Sequence, residues 1–315
     1  MDIGVIIAGI DEGTLACQPW ILHKQSLAEA GIHLHLYRDA AEGFQRPFDA
    51  MLLQVWQDWG NKTYFKPWRI VPIMEQYAIY RSRYPSTVQI VLNHVEMGRR
   101  PYATPYWRTG DPVLYRTPAY DRSELYPFPA ETIWAYELVW GKPRYVSDGP
   151  PKHRAGFVGT TSGPLGYRQR VAAATAKVGI GICAQERPMP KPEHDQTMAD
   201  CRIIVCPRGW GEQSVRHWEA WLSGKPVLTD RECDSVEMIP GVRLRDGVHY
   251  LVFDDPEDIP DIVSDWTGRS RADDLDEIAE NGRRAALSYD AFERIKTFFG
   301  TIANGERLRA SLKPR

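Results

Sequence analysis

Residues 201–230 read CRIIVCPRGWGEQSVRHWEAWLSGKPVLTD. The run CRIIVCP has the length and apolar content of a short buried strand, and its last residues deliver Arg208 and Gly209 to a loop at the strand's carboxyl end. In open α/β sheets that edge is where ligands bind. Ser214 is a natural cap for the helix that follows, in which Arg216 and Glu219 lie three residues apart and share a face near the helix N-terminus. KPVLTD returns the chain to a second strand. A helix N-terminus flanked by two arginines is suited to an anion. The plainer alternative is a surface helix with solvated Arg and Glu and a Gly-Trp-Gly turn. The number of special residues in one short loop after a buried strand argues against it.

Working outward, short apolar strands alternate with helical patterns along most of the chain. IGVIIAG reads as a strand, PWILHKQSLAEAG as a helix closed by Gly31, IHLHLYR as a strand and FDAMLLQVW as another. A helix containing IMEQYAIYRSRY leads into the strand TVQIVLNHVEMG. Strands spaced by helices of this length make a parallel sheet with right-handed crossovers. From Arg99 to Tyr145 the alternation gives way to a Pro- and aromatic-rich stretch, and KPRYVSDGPPKHR (142–154) reads as an interdomain linker.

A second Rossmann-like half begins at AGFVGTTSG. It continues through the helix around YRQRVAAATAK, the strand VGIGICA, the short helix HDQTMADC, the unit quoted above and the strand HYLVFDD. The expected architecture is α/β with two Rossmann-like domains, 1–145 and 146–290, and a tail at 291–315; the sequence from Asp273 to Leu312 reads as one helical, charged stretch.

Composition bounds the function without choosing it. The chain has 315 residues, 43% hydrophobic and 25% charged, and 39 basic against 41 acidic side chains leave a net charge of −2, so no global field points to a polyanionic partner. The apolar start is too short for a signal sequence, and no stretch approaches a transmembrane span. Five scattered cysteines lack paired metal-ligand spacing and fit a reducing, cytoplasmic setting, with Cys201 and Cys206 packed as small hydrophobes. GIDEGTL after the first strand is not the GxGxxG turn of a nicotinamide-dependent oxidoreductase. A sugar-nucleotide epimerase or hydrolase would need a cluster of carboxylates and histidine that the sequence does not assemble.

The spacing Pro-Arg-Gly-x4-Ser-x-Arg-x2-Glu-Ala, with Gly-x-Pro-Val after it, resembles the C-terminal half of exostosin-like glycosyltransferases and, more broadly, transferases of the two-domain GT-B architecture. The resemblance is carried by about thirty residues, 200–230. It implies a donor/acceptor cleft between the domains and a nucleotide-sugar donor on the second one. The arginines would hold the diphosphate and Glu219 the ribose hydroxyls, and the C-terminal helix would pack back on the N-terminal domain. Retaining members usually carry a second Glu upstream, at the position held here by Gly211. Glu212 is one residue out of register, which favours inversion. The chain looks like a soluble bacterial or phage-type relative rather than a membrane-anchored secretory enzyme.

Within that frame the donor site is expected to comprise Thr160 and Thr161 of the Gly- and Thr-rich turn, then Arg168, Arg208, Gly209, Ser214, Arg216 and Glu219. Arg168 has the alternative of lying solvated on its helix. No Asp-x-Asp motif sits at a strand end, so neither a metal nor a cofactor is expected, and arginines with helix dipoles stabilise the leaving diphosphate. The general base should come from the N-terminal domain. Asp11 follows the first strand directly, and His94 and Glu96 end a later one. Each has the alternative of a cap or loop hydrogen bond.

Between Arg81 and Arg122 seven arginines face three acids, interleaved with aromatic residues. Arg99, Arg100, Tyr106 and Trp107 make this the expected acceptor surface, for a glycan or for a nucleic acid whose modified base is flipped out, as in phage DNA glycosyltransferases. The non-enzymatic alternative is a degenerate transferase that only binds nucleotide or glycan. Sugar, nucleobase and oligomeric state are not legible.

Overall fold

The computed structural model describes residues 1–6, 18–55, 67–93, 113–115, 126–127, 144–147, 149–161, 166–184, 189–209, 214–234, 238–239 and 242–302. The chain forms two compact units, Met1–Val139 with Asp290–Arg315, and Trp140–Tyr289.

Unit 1 is built on a six-stranded sheet of β1 (Asp2–Ile6), β2 (His33–Tyr37), β3 (Ala50–Val55), β4 (Val88–Asn93), β5 (Val113–Tyr115) and β6 (Tyr126–Pro127). All pairings are parallel, in the order β2-β1-β3-β4-β5-β6. Ile3, Val5 and Ile6 of β1 and Ala50 to Leu53 of β3 are buried whichever way they point, which is why these strands read as continuous apolar runs rather than alternating ones. Helix α1 (Gln18–Glu29) ends where Gly31 adopts φ 80°. There the N–H groups of Gly31 and Ile32 donate to Ala28 O and Leu27 O, closing a Schellman motif. Helices α2 (Ala40–Gly43) and α3 (Pro67–Arg83) complete the crossovers described.

Unit 2 repeats the plan. Its strands β7 (His153–Thr160), β8 (Ile180–Ala184), β9 (Cys201–Cys206), β10 (Val227–Asp230) and β11 (Leu251–Phe253) form a parallel sheet in the order β11-β10-β9-β7-β8. Counted from its own first strand, the order is 2-1-3-4-5, the same as the first five strands of unit 1. The order reverses between β7 and β9. That is the switch point at which a doubly wound sheet opens a crevice beyond its carboxyl ends.

The helices of unit 2 are α4 (Tyr167–Ala176), α5 (Lys191–Ala199), α6 (Val215–Leu222), α7 (Arg231–Asp234), α8 (Ile259–Trp266) and α9 (Ala272–Leu287). Phe157, Val171, Ile203, Val205, Leu228, Leu251, Phe253 and Leu275 belong to one buried cluster that joins sheet to helices. Helix α4 lies so close over β8 that a Cβ on Gly181 would sit 1.8 Å from Ala172 O. Cys201 and Cys206 are fully buried in β9. Helix α6 closes in another Schellman motif, with Gly224 at φ 64° and the Lys225 N–H donating to Ala220 O.

The helical C-terminal stretch is broken at Ser288–Asp290. Helix α9 packs on α6 in unit 2. Helix α10 (Ala291–Ile302) belongs to unit 1, where Phe299 packs on Trp20 and Phe292 on His23 of α1.

Candidate functional site

Three arginines from three elements of unit 2 converge on the carboxyl edge at the switch point. Arg168, the second residue of α4, is 7% exposed. It donates from Nε to Arg208 O at 3.0 Å and from Nη2 to Pro207 O at 3.4 Å, so the alternative of a solvated helical arginine is corrected. These carbonyls follow β9, and the guanidinium closes the end of that strand. Gly209 stands beside it, where a Cβ would lie 3.1 Å from Arg168 Nη2.

Arg208 is braced from below: its backbone N–H donates to Asp230 Oδ2 at 2.6 Å, and its guanidinium lies over the Tyr167 ring, 5.0 Å from the centroid. Asp230 ends β10 and is fully buried. Arg216, in the first turn of α6, donates to Val158 O and stacks 4.9 Å from the Phe157 ring centre. Its buried Nε–H meets no acceptor among the described residues, which leaves a donor to spare.

Ser214 caps α6 in extended geometry, φ −124° and ψ 156°. The third helical position, where a capping box normally carries Glu or Gln, is His217. Thr229 Oγ1 donates to Cys206 O at 2.9 Å and therefore accepts from His217 Nε2 at 2.9 Å, which assigns the ring proton to Nε2. Nδ1 is then free to accept from the Ser214 N–H at 3.1 Å. Burial, ahead of any neighbouring charge, pushes the His217 pKa down to about 3. A neutral histidine thus links the ends of β9 and β10 to the start of the helix that carries Arg216.

A cavity of about 640 Å³ opens on this edge. It is lined by Val158, Gly159 and Thr160 of β7, by Ile182, Arg168 and Arg216, and by Met189, Pro190, Glu193 and His194 at the start of α5. That volume is in the range that takes a nucleotide-sized ligand. Thr160 is exposed as the last residue of β7, and Thr161 follows it half-buried. Among the described residues no group of three or more His, Cys, Asp or Glu is placed to hold a metal ion, and no helix is long and apolar enough to cross a membrane.

Glu219, one turn beyond Arg216, is 8% exposed. Its carboxylate is held by two residues from the stretch read as a linker. The Arg144 guanidinium pairs with Oε1, and the Tyr145 hydroxyl donates to Oε2 at 2.6 Å. Lys191 Nζ lies 3.8 Å from Oε1. The backbone N–H groups of Arg144 and Tyr145 both donate to Ser223 Oγ at 2.9 Å. Burial first, and the Glu219 charge second, push the Tyr145 phenol well above its usual range, so it stays a donor.

Of the residues singled out in sequence, Thr160, Thr161, Arg168, Arg208, Gly209, Ser214, Arg216 and Glu219 all fall on unit 2. Asp11, His94, Glu96, Arg99, Arg100, Tyr106 and Trp107 lie outside the described residues, as do Gly211 and Glu212. Sequence reasoning missed Arg144, Tyr145, His217 and Asp230. Only His217 carries a local signal, its place three residues after a capping serine.

Residues 151–300 match the family model described as glycosyl transferase-like, a span that contains the whole arginine edge and the cavity. The second unit is a glycosyltransferase domain. No curated protein matches the chain in sequence. Among solved structures, HepE of Anabaena in complex with UDP-glucose aligns over 96% of this chain and 100% of its own, with TM-score 0.52 and 12% identity.

The lipopolysaccharide outer core galactosyltransferase WaaB aligns over 97% and 100%, with TM-score 0.53 and 12% identity. An α-glucosyltransferase in complex with UDP and DNA containing an HMU base aligns over 96% and 99%, with TM-score 0.50 and 10% identity. At these identities the likeness is one of fold: the transferase domain and the unit before it share the GT-B plan of two Rossmann-like halves. Within the transferase domain the polar side chains fall in two groups. Arg168, Arg208 and Arg216 gather at the ends of β7 and β9, and the Glu219 carboxylate stands one helical turn away with its own cationic and phenolic partners.

Proposed function

We propose that this glycosyltransferase moves a sugar from a nucleotide-sugar donor to an acceptor hydroxyl, with the donor seated at the carboxyl edge of β7 and β9. The observation that carries the reading is the convergence of Arg168, Arg208 and Arg216 on the switch point beside a cavity of about 640 Å³. Glycosyl transfer expels a nucleoside diphosphate as positive charge builds on the anomeric carbon. Fixed cations and the α6 N-terminus stabilise that leaving charge without reorganisation at the moment of reaction. In this reading Thr160, Thr161 and Gly209 approach the phosphates, Ser214 presents the helix start, Arg208 and Arg216 grip the diphosphate and Glu219 takes the ribose hydroxyls. Arginine in that role makes a divalent metal dispensable.

Transfer with inversion needs one base on the acceptor side, and Asp11, Glu96 and His94 of unit 1 are the proposed candidates. Arg99, Arg100, Tyr106 and Trp107 are proposed to meet the acceptor, a glycan or a modified nucleic acid. The fold shared with HepE bound to UDP-glucose supports the donor class. The net +4 charge between Arg81 and Arg122, seven arginines against three acids, supports an anionic acceptor.

The test is a thermal-shift screen of the purified chain against UDP-, GDP-, ADP-, CMP- and dTDP-sugars, each with EDTA and with a divalent metal. A ligand that binds only the native state, present at 100 times its Kd, adds about 2.7 kcal/mol. For a domain of this size that is a rise of about 5–10 °C. A rise with one nucleotide series that survives EDTA and is lost in Arg216→Ala is the expected result. No rise with any donor overturns the donor-site reading, and a rise only with metal overturns metal independence.

A further inference from the structure

We propose that Arg144 and Tyr145 are positioning residues for the donor's ribose: clamped to α6 at Ser223, they hold the Glu219 carboxylate in the one orientation that receives the two ribose hydroxyls. The inference rests on the donor-site reading above and deepens it. A carboxylate only 8% exposed on a helix must be paired. Here the pairing is divided, the Arg144 guanidinium on Oε1 and the Tyr145 hydroxyl on Oε2 at 2.6 Å.

The terminal torsion of a glutamate is soft and broadly distributed, so an unsupported carboxylate would rotate freely. One fixed donor on each oxygen removes that freedom. An ionised carboxylate offers about four lone-pair sites. The clamp uses two of them, and the Lys191 ammonium at 3.8 Å from Oε1 lies beyond hydrogen-bond distance, so each oxygen keeps a lone pair, which matches a pair of vicinal hydroxyls.

The clamp is itself anchored. Ser223 lies one turn beyond Glu219 on α6, and its Oγ accepts the backbone N–H groups of both clamp residues at 2.9 Å. If Arg144 and Tyr145 served only to cover the helix, those backbone bonds and the Tyr145 ring would suffice. Neutralising the buried carboxylate takes one cation, and the second donor, on the other oxygen, fixes its plane as well. The phenol is kept protonated by its burial and by Glu219 itself, so it remains a donor at neutral pH. Unit 2 begins at Trp140, so the clamp lies within a few residues of the point where the chain leaves unit 1.

The test is calorimetric binding of the diphosphates of uridine, guanosine and adenosine, and of their 2′,3′-dideoxy counterparts, to the full chain and to Tyr145→Phe, Arg144→Ala and Arg144→Lys. The wild type is expected to prefer a ribonucleotide over its dideoxy form by at least about tenfold, the contribution of hydrogen bonds to a charged group. In Tyr145→Phe and Arg144→Ala that ratio should fall toward one while dideoxy affinity stays within about twofold, and Arg144→Lys should recover part of it.

Unchanged dideoxy binding also reports that each variant is folded. A loss of affinity for both forms in equal measure would make the clamp merely structural and overturn the proposal. So would a gain in ribonucleotide affinity, because the clamp would then be competing with the ribose. If the wild type binds ribonucleotides without preferring them over the dideoxy forms, the assignment of Glu219 to the ribose fails. If it binds none of the diphosphates, the donor-site reading fails first.

Discussion

Replacing His217 by Gln should leave the protein nearly unchanged at pH 7 and make it more stable than the wild type at pH 5. The His217 ring is fully buried and its pKa is pushed down to about 3. An unfolded histidine titrates near 6.5. Because the folded value is the lower one, the unfolded chain binds the extra proton first. The stability held by neutral His217 is present above pH 6.5 and is lost progressively as pH falls through the window down to about 3.

At pH 5 the unfolded histidine is almost fully protonated and the folded one is not, which destabilises the fold by about 2 kcal/mol. The full loss, reached near pH 3, is about 5 kcal/mol. Glutamine is a normal third residue of a capping box, and its amide can accept from the Ser214 N–H and donate toward Thr229. At pH 7 the variant is therefore expected within about 1 kcal/mol of the wild type.

The assay is urea unfolding at pH 7 and pH 5, read by hydrogen exchange in the peptide covering Val215–Leu222, so that the unit holding the histidine is the one observed. The prediction concerns the difference between the two proteins, in which all other titrating groups cancel. Equal losses of stability between pH 7 and pH 5 would refute the claim that a buried, neutral His217 holds the start of α6. A larger loss in the Gln variant would refute it as well.

Other residues give sharper single outcomes. Asp230→Ala removes the acceptor of the Arg208 N–H, and nucleoside diphosphate affinity should fall about tenfold with a loss of about 1–3 kcal/mol in stability; unchanged calorimetric binding would show that the loop holds Arg208 without it. Gly181→Ala places a methyl 1.8 Å from Ala172 O, and unit 2 should fail to fold, seen as rapid proteolysis within 151–289. Gly31→Ala meets open space and should cost only about 1 kcal/mol through its φ of 80°, measured by thermal unfolding. Lys225→Met strips the donor from Ala199 O and Cys201 O, at 2.7 and 3.0 Å, and should lower the melting temperature by several degrees; a neutral outcome would mean water replaces the ammonium.

Much of the fold was legible because parallel sheets write their burial into the sequence as plain apolar runs. CRIIVCP became β9 and KPVLTD became β10, and Gly31 closed α1 where a glycine cap was expected. The order of the strands was not legible. That β7 lies between β8 and β9 is a matter of pairing between segments distant in sequence, which no local pattern states. Residues 273–312 carry one continuous helical, charged pattern in sequence, yet the helix is cut at Ser288–Asp290, where the Asp290 carboxylate accepts the Glu293 N–H at 2.9 Å and starts a new helix. The Asp-x-x-Glu signal was present at that point, but helical periodicity on both sides masked it.

The site divides along the same physical line. The charged residues of this edge were visible because a strand, a glycine and a cap in close succession mark a loop at a sheet's carboxyl edge. What aims those charges was invisible, because each brace comes from elsewhere in the chain: Arg208 is held from 22 residues later, by Asp230, and Glu219 from 75 and 74 residues earlier, by Arg144 and Tyr145. A local motif can state which side chain is charged, since that is a property of the residue. Orientation is a property of the pair, and a pair separated by half a domain has no period or spacing to announce it. Arg168 makes the point most directly. Its sequence context allows a solvated helical arginine, whereas the carbonyls of Pro207 and Arg208, in the loop that follows β9, hold it buried at this edge.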